Sequence, residues 1–410
     1  MRSWPKTSGA DHSLMRELNR SLVLDLVKQE SPASRASIAR ISTLAKPTVS
    51  TIIDELLKEG LVREIGTGKP TSEGGRPPIL LEFNARSHYL VGVHIGVSQT
   101  TIVVADARGS EIGRVQEQTS RADAAEALTR IATTIRSAIA GAGASMKALA
   151  AVGVCVPGLV DLHTGTCLLA PNLGWTAVPV AEILKDALGV PVFVHNTTQA
   201  SAVAENLEGA GTGASGFVFL YAGTGVGAGV ISEGRLFHGV DGFAGEIGHC
   251  RIPGANEQCN CGKIGCLETV GSGPAIARSA MAAIAAGRES SLASIDEGII
   301  TPEIVSAAAD LGDGLALEVL ADAGRALGTA ASWLINLFNP QVLVIGGGLV
   351  GAGKGLIEPL IKTALDLALP QAAERLSVRT SQLGQDAEAR GAVLLALQSS
   401  ETYYRVIFQN

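Results

Sequence analysis

The sequence has no long run of apolar residues, and this absence limits where the protein can act. No stretch of about 18 apolar residues free of glycine and charge occurs, so we expect no membrane span. Residues 1–13 also lack the apolar run of a secretory signal peptide. We therefore expect a cytoplasmic protein.

Aromatic residues and charges are scarce as well. Aromatics make up 4% and charged residues 17% of the 410 residues, whereas hydrophobic residues make up 46%. This composition favours a large buried core and argues against disorder. The length exceeds that of one ordinary domain, and we expect two or three.

Excess positive charge is absent from most of the chain and is confined to its start. Residues 1–80 carry 12 Lys and Arg against 9 Asp and Glu, whereas residues 81–410 carry 20 against 30. A mildly basic segment joined to an acidic remainder favours a nucleic-acid contact confined to the basic segment.

The basic segment has the helix pattern of a small DNA-binding domain. Leucines at every fourth position predict an amphipathic helix over 14–26, and a short helix follows at 34–42. A third helix is predicted over 46–59, with Pro47 in its first turn, where the missing N–H costs nothing. Its outer face offers small or basic groups suited to a major groove, namely Lys46, Thr48, Ser50 and Thr51.

A wing is predicted after the third helix. Strand-like runs at 61–65 and 79–83 flank a polar, glycine-rich stretch that contains Gly74-Gly75-Arg76-Pro77-Pro78. On this frame Arg76 can enter a narrow minor groove. Three helices followed by a hairpin predict a winged helix-turn-helix domain over residues 1–85. The alternative is a three-helix domain that binds other proteins.

Residues 86–400 alternate short apolar runs with helical ones, which predicts an α/β body. Closely spaced strands followed by helices begin at residue 89, and a similar order begins again at residue 216. We therefore predict two similar lobes, approximately 86–210 and 211–400, with a cleft between them.

Half of the six cysteines lie within eight residues. They are Cys259, Cys261 and Cys266, and His249 lies ten residues before the first of them. Three thiolates and one imidazole make a closed tetrahedral zinc site, and in an intracellular chain such spacing indicates metal binding rather than disulfides. We predict a structural Zn²⁺ ion. The alternative is a group of reduced thiols.

Two carboxylates flank this cluster. Glu246 lies three residues before His249, and Glu268 lies two residues after Cys266. A metal ion would hold both segments together and direct both acids into one space, where they could accept hydrogen bonds from the hydroxyls of a sugar. Acid–base catalysis is the other interpretation that this spacing allows.

These motifs resemble the signature of the ROK family of repressors and sugar kinases. The resemblance rests on Gly245-Glu246-Ile247-Gly248-His249 and the Cys-x-Cys-Gly-x-x-Gly-Cys-x-Glu segment, and it extends over roughly residues 12–400. The Lys-Pro-Thr-Val-Ser run and the Gly-Gly-Arg-Pro wing are similar to those of the repressor branch. The resemblance implies a two-lobed actin-like ATPase (ribonuclease H-like) body with an N-terminal winged helix-turn-helix domain.

The resemblance also implies a sugar site. Positions that match the family's sugar contacts are Asn172, Asn196, Glu246, His249 and Glu268. His249 additionally matches a zinc ligand, and Gly158 matches a loop that lines the same pocket.

Two departures from the family's kinases set the expected function. The resemblance implies an Asp general base where this sequence has Thr197, whose hydroxyl is no useful proton acceptor near neutral pH. His94 replaces a second Asp, which helps to place the metal-bound phosphates. We therefore predict that the chain is not an enzyme but a sugar-responsive, DNA-binding transcription regulator. We expect a repressor whose operator affinity changes when the sugar binds.

Two alternatives stay open. One is an ATP-dependent sugar kinase with an added DNA-binding domain, which would need His195 as a substitute base and could use the glycine-rich segments 222–227 and 345–348. The other is a repressor that a protein partner releases. For the sugar-responsive regulator we expect a pseudo-palindromic operator and a homodimer or homotetramer.

Overall fold

Three helices and a small antiparallel sheet form the N-terminal part. The computed structural model describes residues 12–69, 77–120, 122–296 and 299–400. We call the described residues before 86 the head and those after it the body. The elements of the head are α1 (His12–Gln29), β1 (Ala33–Ser34), α2 (Arg35–Ser42), α3 (Lys46–Lys58), β2 (Val62–Thr67) and β3 (Ile79–Phe83), with strand order β1-β3-β2.

The helices of the head begin where local hydrogen bonds allow. The Ser34 hydroxyl accepts from the Ser37 N–H, and the Ser37 hydroxyl accepts from the Ser34 N–H, which is a capping box at the start of α2. α3 has no side-chain cap because Ala45 stands at that position. Its buried stripe has the predicted spacing of three and four residues and consists of Val49, Ile52, Ile53 and Leu56.

The leucine spacing misplaced the buried face of α1. Leu18 and Leu22 are about 40% exposed, whereas Val23, Leu24 and Val27 are fully or almost fully buried. The buried face of α1 therefore runs through Val23, Leu24 and Val27 rather than through Leu18 and Leu22.

Two five-stranded sheets with the same connectivity form the body. The first has the order β11-β7-β4-β5-β6 and contains β4 (Tyr89–Ile95), β5 (Gln99–Asp106), β6 (Glu111–Gln118), β7 (Leu149–Val156) and β11 (Val192–Asn196). The second has the order β14-β13-β12-β15-β16 and contains β12 (Gly216–Ala222), β13 (Val226–Ser232), β14 (Arg235–Leu236), β15 (Val342–Gly346) and β16 (Ser377–Thr380). In both, the first strand pairs antiparallel with the second and parallel with the fourth. The predicted duplicated α/β body is therefore confirmed.

Helices cover the two sheets. They are α4 (Ala124–Gly141), α5 (Val180–Leu188), α6 (Thr197–Glu208), α7 (Glu268–Gly271), α8 (Gly273–Ala285), α9 (Pro302–Asp310), α10 (Gly314–Phe338), α11 (Lys354–Leu367), α12 (Pro370–Ala373) and α13 (Ala387–Ser399). A further small sheet, which the sequence pattern did not predict, contains β8 (Leu159–Asp161), β9 (Thr166–Ala170) and β10 (Trp175–Val178). In the part of the chain that the structure describes, no helix is long and apolar enough to cross a membrane.

Two helices cross where the lobes meet. α6 follows the first sheet but packs on the second at Gly229, and α13 follows the second sheet but packs on the first at Gly92 and Gly153. A Cβ atom at Gly391 would lie 1.9 Å from the carbonyl oxygen of Ala200. The backbones of α6 and α13 can therefore touch only because residue 391 has no side chain.

The core of the head continues into the body. Phe83 is buried in one hydrophobic cluster with Ala107 of the body and with Ala389 and Val393 of α13. The Ala107 N–H donates a hydrogen bond to the carbonyl of Ala85 at 2.9 Å. The head is thus packed on the first lobe and on α13 through a shared core.

Candidate metal centre, pocket and nucleic-acid face

The structure brings the four predicted metal ligands together. One ligand atom from each of His249, Cys259, Cys261 and Cys266 lies within 4.8 Å of all the others. The Cys261 and Cys266 sulfurs are 3.6 Å apart, and the Cys259 sulfur is 3.7 Å from His249 Nδ1. A tetrahedron with Zn–S bonds of about 2.3 Å places its sulfurs about 3.8 Å apart. This cluster could therefore hold a metal ion.

The two ring nitrogens of His249 point to different groups. Nδ1 faces the Cys259 thiol, whereas Nε2 lies 3.8 Å from Glu246 Oε2. One imidazole can therefore serve a metal ion with one nitrogen and the pocket with the other. This geometry makes the double role predicted for His249 possible.

The two predicted carboxylates lie close to each other. Burial, together with a smaller effect of the nearby Glu268 carboxylate, raises the pKa of Glu246 to about 7. Glu268 Oε2 accepts a hydrogen bond from the Val226 N–H at 3.1 Å, and a Cβ atom at Gly225 would lie 2.7 Å from the same oxygen. The carboxylate is therefore held against the glycine-rich segment that precedes β13.

Asn196 stands at the junction between the pocket and α6. Its side-chain oxygen accepts from the N–H groups of Thr198 and Gln199, which caps α6, and its side-chain nitrogen donates to the Gly158 carbonyl at 2.8 Å. The predicted pocket residues Asn196 and Gly158 are therefore in direct contact.

Asn172 lies on a different element from the other predicted sugar contacts. It is exposed in a short 3-10 turn after β9. A Cβ atom at Gly158 would lie 2.9 Å from the Ala170 Cα, so this turn begins beside the contact between Asn196 and Gly158. Its predicted sugar contact stays a prediction.

Gln199 is a buried polar residue near the candidate sugar contacts that the motifs did not indicate. Its side-chain nitrogen donates to the Gly242 carbonyl at 2.8 Å. Gly242 belongs to the second-lobe loop that leads to Glu246, and a Cβ atom there would meet Leu162 of the first lobe. α6 is thereby attached at its N-terminal end to the loop that carries one of the candidate sugar acceptors.

The three residues considered for catalysis are largely withdrawn from solvent. Thr197 is 6% and His195 8% exposed. Burial, with a smaller effect from His238, lowers the pKa of His195 to about 3, and burial lowers the pKa of His94 to about 4. Both imidazoles are therefore neutral at pH 7 and are weak proton acceptors.

Three of the four residues predicted on the DNA-reading face of α3 are exposed. Lys46, Thr48 and Thr51 are exposed, and Ser50 is half-buried. Arg35, which the sequence analysis did not select, donates to the Ser50 carbonyl at 3.2 Å and pairs with Asp54 at 2.8 Å. The Thr51 hydroxyl donates to the Pro47 carbonyl, so its oxygen remains an acceptor.

The predicted wing is present as a hairpin. β2 pairs antiparallel with β3 from Val62 opposite Phe83 to Thr67 opposite Ile79. Beyond them the Gly68 N–H donates to the Pro78 carbonyl at 2.7 Å. Arg76, predicted for the tip, lies outside the described residues.

The fold and the clustered residues together define a two-lobed, sugar-kinase-like body that carries a winged-helix head. The ROK family model matches residues 90–399, and the chain belongs to the ROK family. It is 32% identical over 391 residues to the xylose repressor of Caldicellulosiruptor bescii, a match that covers 94% of this chain and 97% of the repressor.

Two further relatives show how the head and body are shared. A solved ROK family transcriptional regulator, described as a homolog of the Escherichia coli MLC protein, superposes with a TM-score of 0.81 and 31% identity over 94% of this chain and 97% of its own. A glucokinase of Halalkalibacterium halodurans is 36% identical over 77% of this chain and 96% of its own length. The regulator therefore matches nearly the whole chain, whereas the kinase matches about three quarters of it.

Proposed function

We propose that this protein is a sugar-responsive transcription regulator that binds operator DNA through the head and a small sugar through the body, and that it acts as a repressor. We assign residues 1–85 to a winged helix-turn-helix DNA-binding domain and residues 86–400 to the sugar-binding body. The observation that carries the proposal is the shared core, which joins the head to a ROK body with clustered sugar acceptors.

The proposed sugar site consists of polar side chains that come from both lobes. Its acceptors and donors are Asn172, Asn196, Glu246, His249 and Glu268. Glu268 is fixed by the Val226 N–H, and Asn196 is fixed by its bonds to α6 and Gly158. Groups that are held in place before the ligand arrives suit recognition of several hydroxyls.

The proposed DNA contact uses the outer face of α3 and the wing. Lys46, Thr48, Ser50 and Thr51 would enter the major groove, and Arg76 would enter the adjacent minor groove. A pseudo-palindromic operator would need two heads, so we propose a homodimer or homotetramer that acts in the cytoplasm.

We propose that the Cys₃His cluster binds structural Zn²⁺. The sulfur–sulfur and sulfur–nitrogen distances suit a tetrahedral ion, and the four ligands come from both ends of the segment 249–266. When bound, zinc would supply no chemistry beyond fixing this segment, and with it Glu246 and Glu268, in one arrangement.

The sugar-kinase alternative is disfavoured by the acid–base properties of the residues available. We propose that the kinase base is missing because Thr197 stands at its position, and a hydroxyl does not accept a proton near pH 7. His195 would be the substitute, yet burial lowers its pKa to about 3. A group this weakly basic would contribute little as a general base.

Two assays on the full-length chain test this proposal. A DNA pool is first selected with the protein, and binding of the selected duplex is then measured with and without D-xylose, D-glucose and N-acetyl-D-glucosamine at moderate salt. We expect one sugar to change the affinity for DNA. The same sugars are offered with ATP in a coupled assay of ADP release, where we expect no turnover.

The opposite results would overturn the proposal. If no duplex is selected, or if no sugar changes its affinity, the chain is not a sugar-responsive regulator. ADP release at ordinary kinase rates, on the order of 1 per second or more, would favour the kinase alternative.

A further inference from the structure

α6 connects the candidate sugar pocket to the opposite end of the lobe contact. At its N-terminus Asn196 caps the helix and Gln199 holds the Gly242 carbonyl. Its last residue is Glu208, 12 residues later, at a distance of about 18 Å along the helix axis. Any displacement of the pocket end therefore moves Glu208 as well, because a helix of this length behaves as a rigid rod.

Arg390 of α13 receives that end of α6. Its Nη2 lies 2.6 and 2.7 Å from the two carboxylate oxygens of Glu208, and its Nε lies 3.0 Å from one of them. Its Nη1 donates to the Gly109 carbonyl at 2.7 Å. The Arg390 side chain is only 14% exposed, so water replaces these bonds poorly. One guanidinium thus joins α6, α13 and the turn between β5 and β6.

The 106–110 turn, to which Arg390 donates a hydrogen bond, is held in one conformation by its own hydrogen bonds. The Asp106 carboxylate accepts from the N–H groups of Arg108 and Ser110, at 2.9 and 3.0 Å, and the Gly109 N–H donates to the Asp106 carbonyl at 2.8 Å. These three hydrogen bonds within five residues leave the turn little freedom, so a displacement of Gly109 moves the whole turn.

The same turn supports the head. The Ala107 N–H donates to the Ala85 carbonyl at 2.9 Å, and the Arg108 guanidinium lies over the Phe83 ring, 5.4 Å from its centre. Lys28 of α1 also lies over that ring, at 5.0 Å. Phe83 is the last residue of β3 and is 2% exposed. The turn therefore contacts the end of the wing strand, and the Phe83 ring lies between it and Lys28 of the first helix.

We propose that Arg390 couples the sugar pocket to the DNA-binding head. When the sugar shifts α6 relative to α13, Glu208 moves and the Arg390 guanidinium follows it. The guanidinium then either pulls the Gly109 turn along or loses its bond to the Gly109 carbonyl. In both cases the support of the head by this turn changes, and the orientation of the head changes with it. Arg390 is thus a positioning residue that contacts neither ligand. The inference rests on the proposed function and names how its two sites communicate.

The chain offers a matched control in Arg114. This side chain pairs with Glu111 and with Asp386 at the start of α13, so it also joins the first lobe to that helix. Among the described residues, its hydrogen bonds go to Glu111 and Asp386 rather than to α6 or to the 106–110 turn. Arg114→Met therefore removes two ion pairs near the same helix and leaves the bonds of Arg390 to Glu208 and Gly109 in place.

The experiment measures three quantities for the full-length chain, Arg390→Met, Glu208→Gln and Arg114→Met. They are the Kd for the selected duplex without sugar, the Kd for whichever of the three sugars acts on the unsubstituted chain, and the ratio of DNA affinities without and with that sugar. Couplings between two sites are typically 5- to 150-fold. We expect Arg390→Met and Glu208→Gln each to reduce the ratio at least fivefold or to about 1. Both Kd values should stay within about threefold of those of the unsubstituted chain. Arg114→Met should keep the ratio.

Each result decides the question. A ratio that survives in Arg390→Met and Glu208→Gln overturns the inference while the proposed function stands. Equal loss in Arg114→Met would also overturn it, because any loosening of α13 would then suffice. If Arg390→Met unfolds, Glu208→Gln with its near-identical shape provides the deciding measurement. An unsubstituted chain that ignores sugar would overturn the proposed function together with this inference.

Discussion

The backbone contact between α6 and α13 at Gly391 allows a quantitative prediction. At Gly391 an added Cβ would lie 1.9 Å from the Ala200 carbonyl oxygen, whereas a carbon and an oxygen normally stay about 3.3 Å apart. Gly391→Ala must therefore separate α6 and α13 by about 1.4 Å or distort one of them. No side-chain rotation can relieve the overlap, because the opposing atom belongs to the backbone.

The cost of that separation exceeds the benefit of alanine to the helix. Overpacking of a core costs about 1 to 3 kcal/mol, whereas Ala for Gly within a helix gains at most about 1 kcal/mol. We expect the free energy of unfolding of Gly391→Ala to fall by about 1 to 2 kcal/mol, and Tm to fall by roughly 2 to 8 °C.

Thermal unfolding followed by circular dichroism tests this expectation. Gly141→Ala is the control, since Gly141 is also helical, is exposed, and would place its Cβ in open space. We expect this variant to be as stable as the unsubstituted chain or slightly more stable. If Gly391→Ala unfolds at the same temperature as Gly141→Ala, then α6 and α13 do not touch at this position and the reasoning fails.

Three further predictions concern the metal, the wing and a buried acid. Cys261→Ser should lose bound zinc and unfold at lower temperature, whereas the control Cys250→Ser should keep its zinc and its unfolding temperature. Full zinc occupancy in Cys261→Ser by elemental analysis would contradict the ligand assignment. Arg76→Ala should weaken binding of the selected duplex and leave the sugar Kd unchanged in calorimetry, and loss of both would contradict the wing assignment. Burial raises the pKa of Glu388 from 4.5 to about 7. The folded state therefore holds this proton more tightly than the unfolded state, and the chain loses stability as pH rises from about 4.5 to 7. Glu388→Gln should therefore raise Tm at pH 8 more than at pH 5, and an equal shift at both values would contradict this account.

The sequence predicted the regular elements well because their signals are local. The apolar runs at 149–156, 216–222 and 226–232 form β7, β12 and β13, and the helical run at 314–338 forms α10. The glycine-rich Cys segment also brought its ligands together as expected, since eight residues leave the thiols little room to separate. Periodicity and short spacing carry information of this kind.

Elements and contacts that depend on distant partners were not predictable in the same way. The small sheet β8-β9-β10 consists of strands of three to five residues, too short for a clear alternation. Leu18 and Leu22 repeat correctly yet remain about 40% exposed, because periodicity alone does not show which side of the helix the rest of the head will cover. Arg390 and Glu208 lie 182 residues apart, and neither belongs to a motif. Only the crossing of α6 and α13 places them together.

The continuity between the head and the body has a consequence for operator architecture. Phe83 shares a core with the body, and the Ala85 carbonyl is hydrogen-bonded to the Ala107 N–H. The head therefore cannot reorient independently of the body to reach a half-site. In the proposed oligomer, the geometry of the body would therefore set the distance between the two half-sites that the heads reach. A glycine insertion between Ala85 and Arg86 should make the connection between the head and the body flexible. The protein should then tolerate operators of several spacings, and its affinity for each of them should be lower.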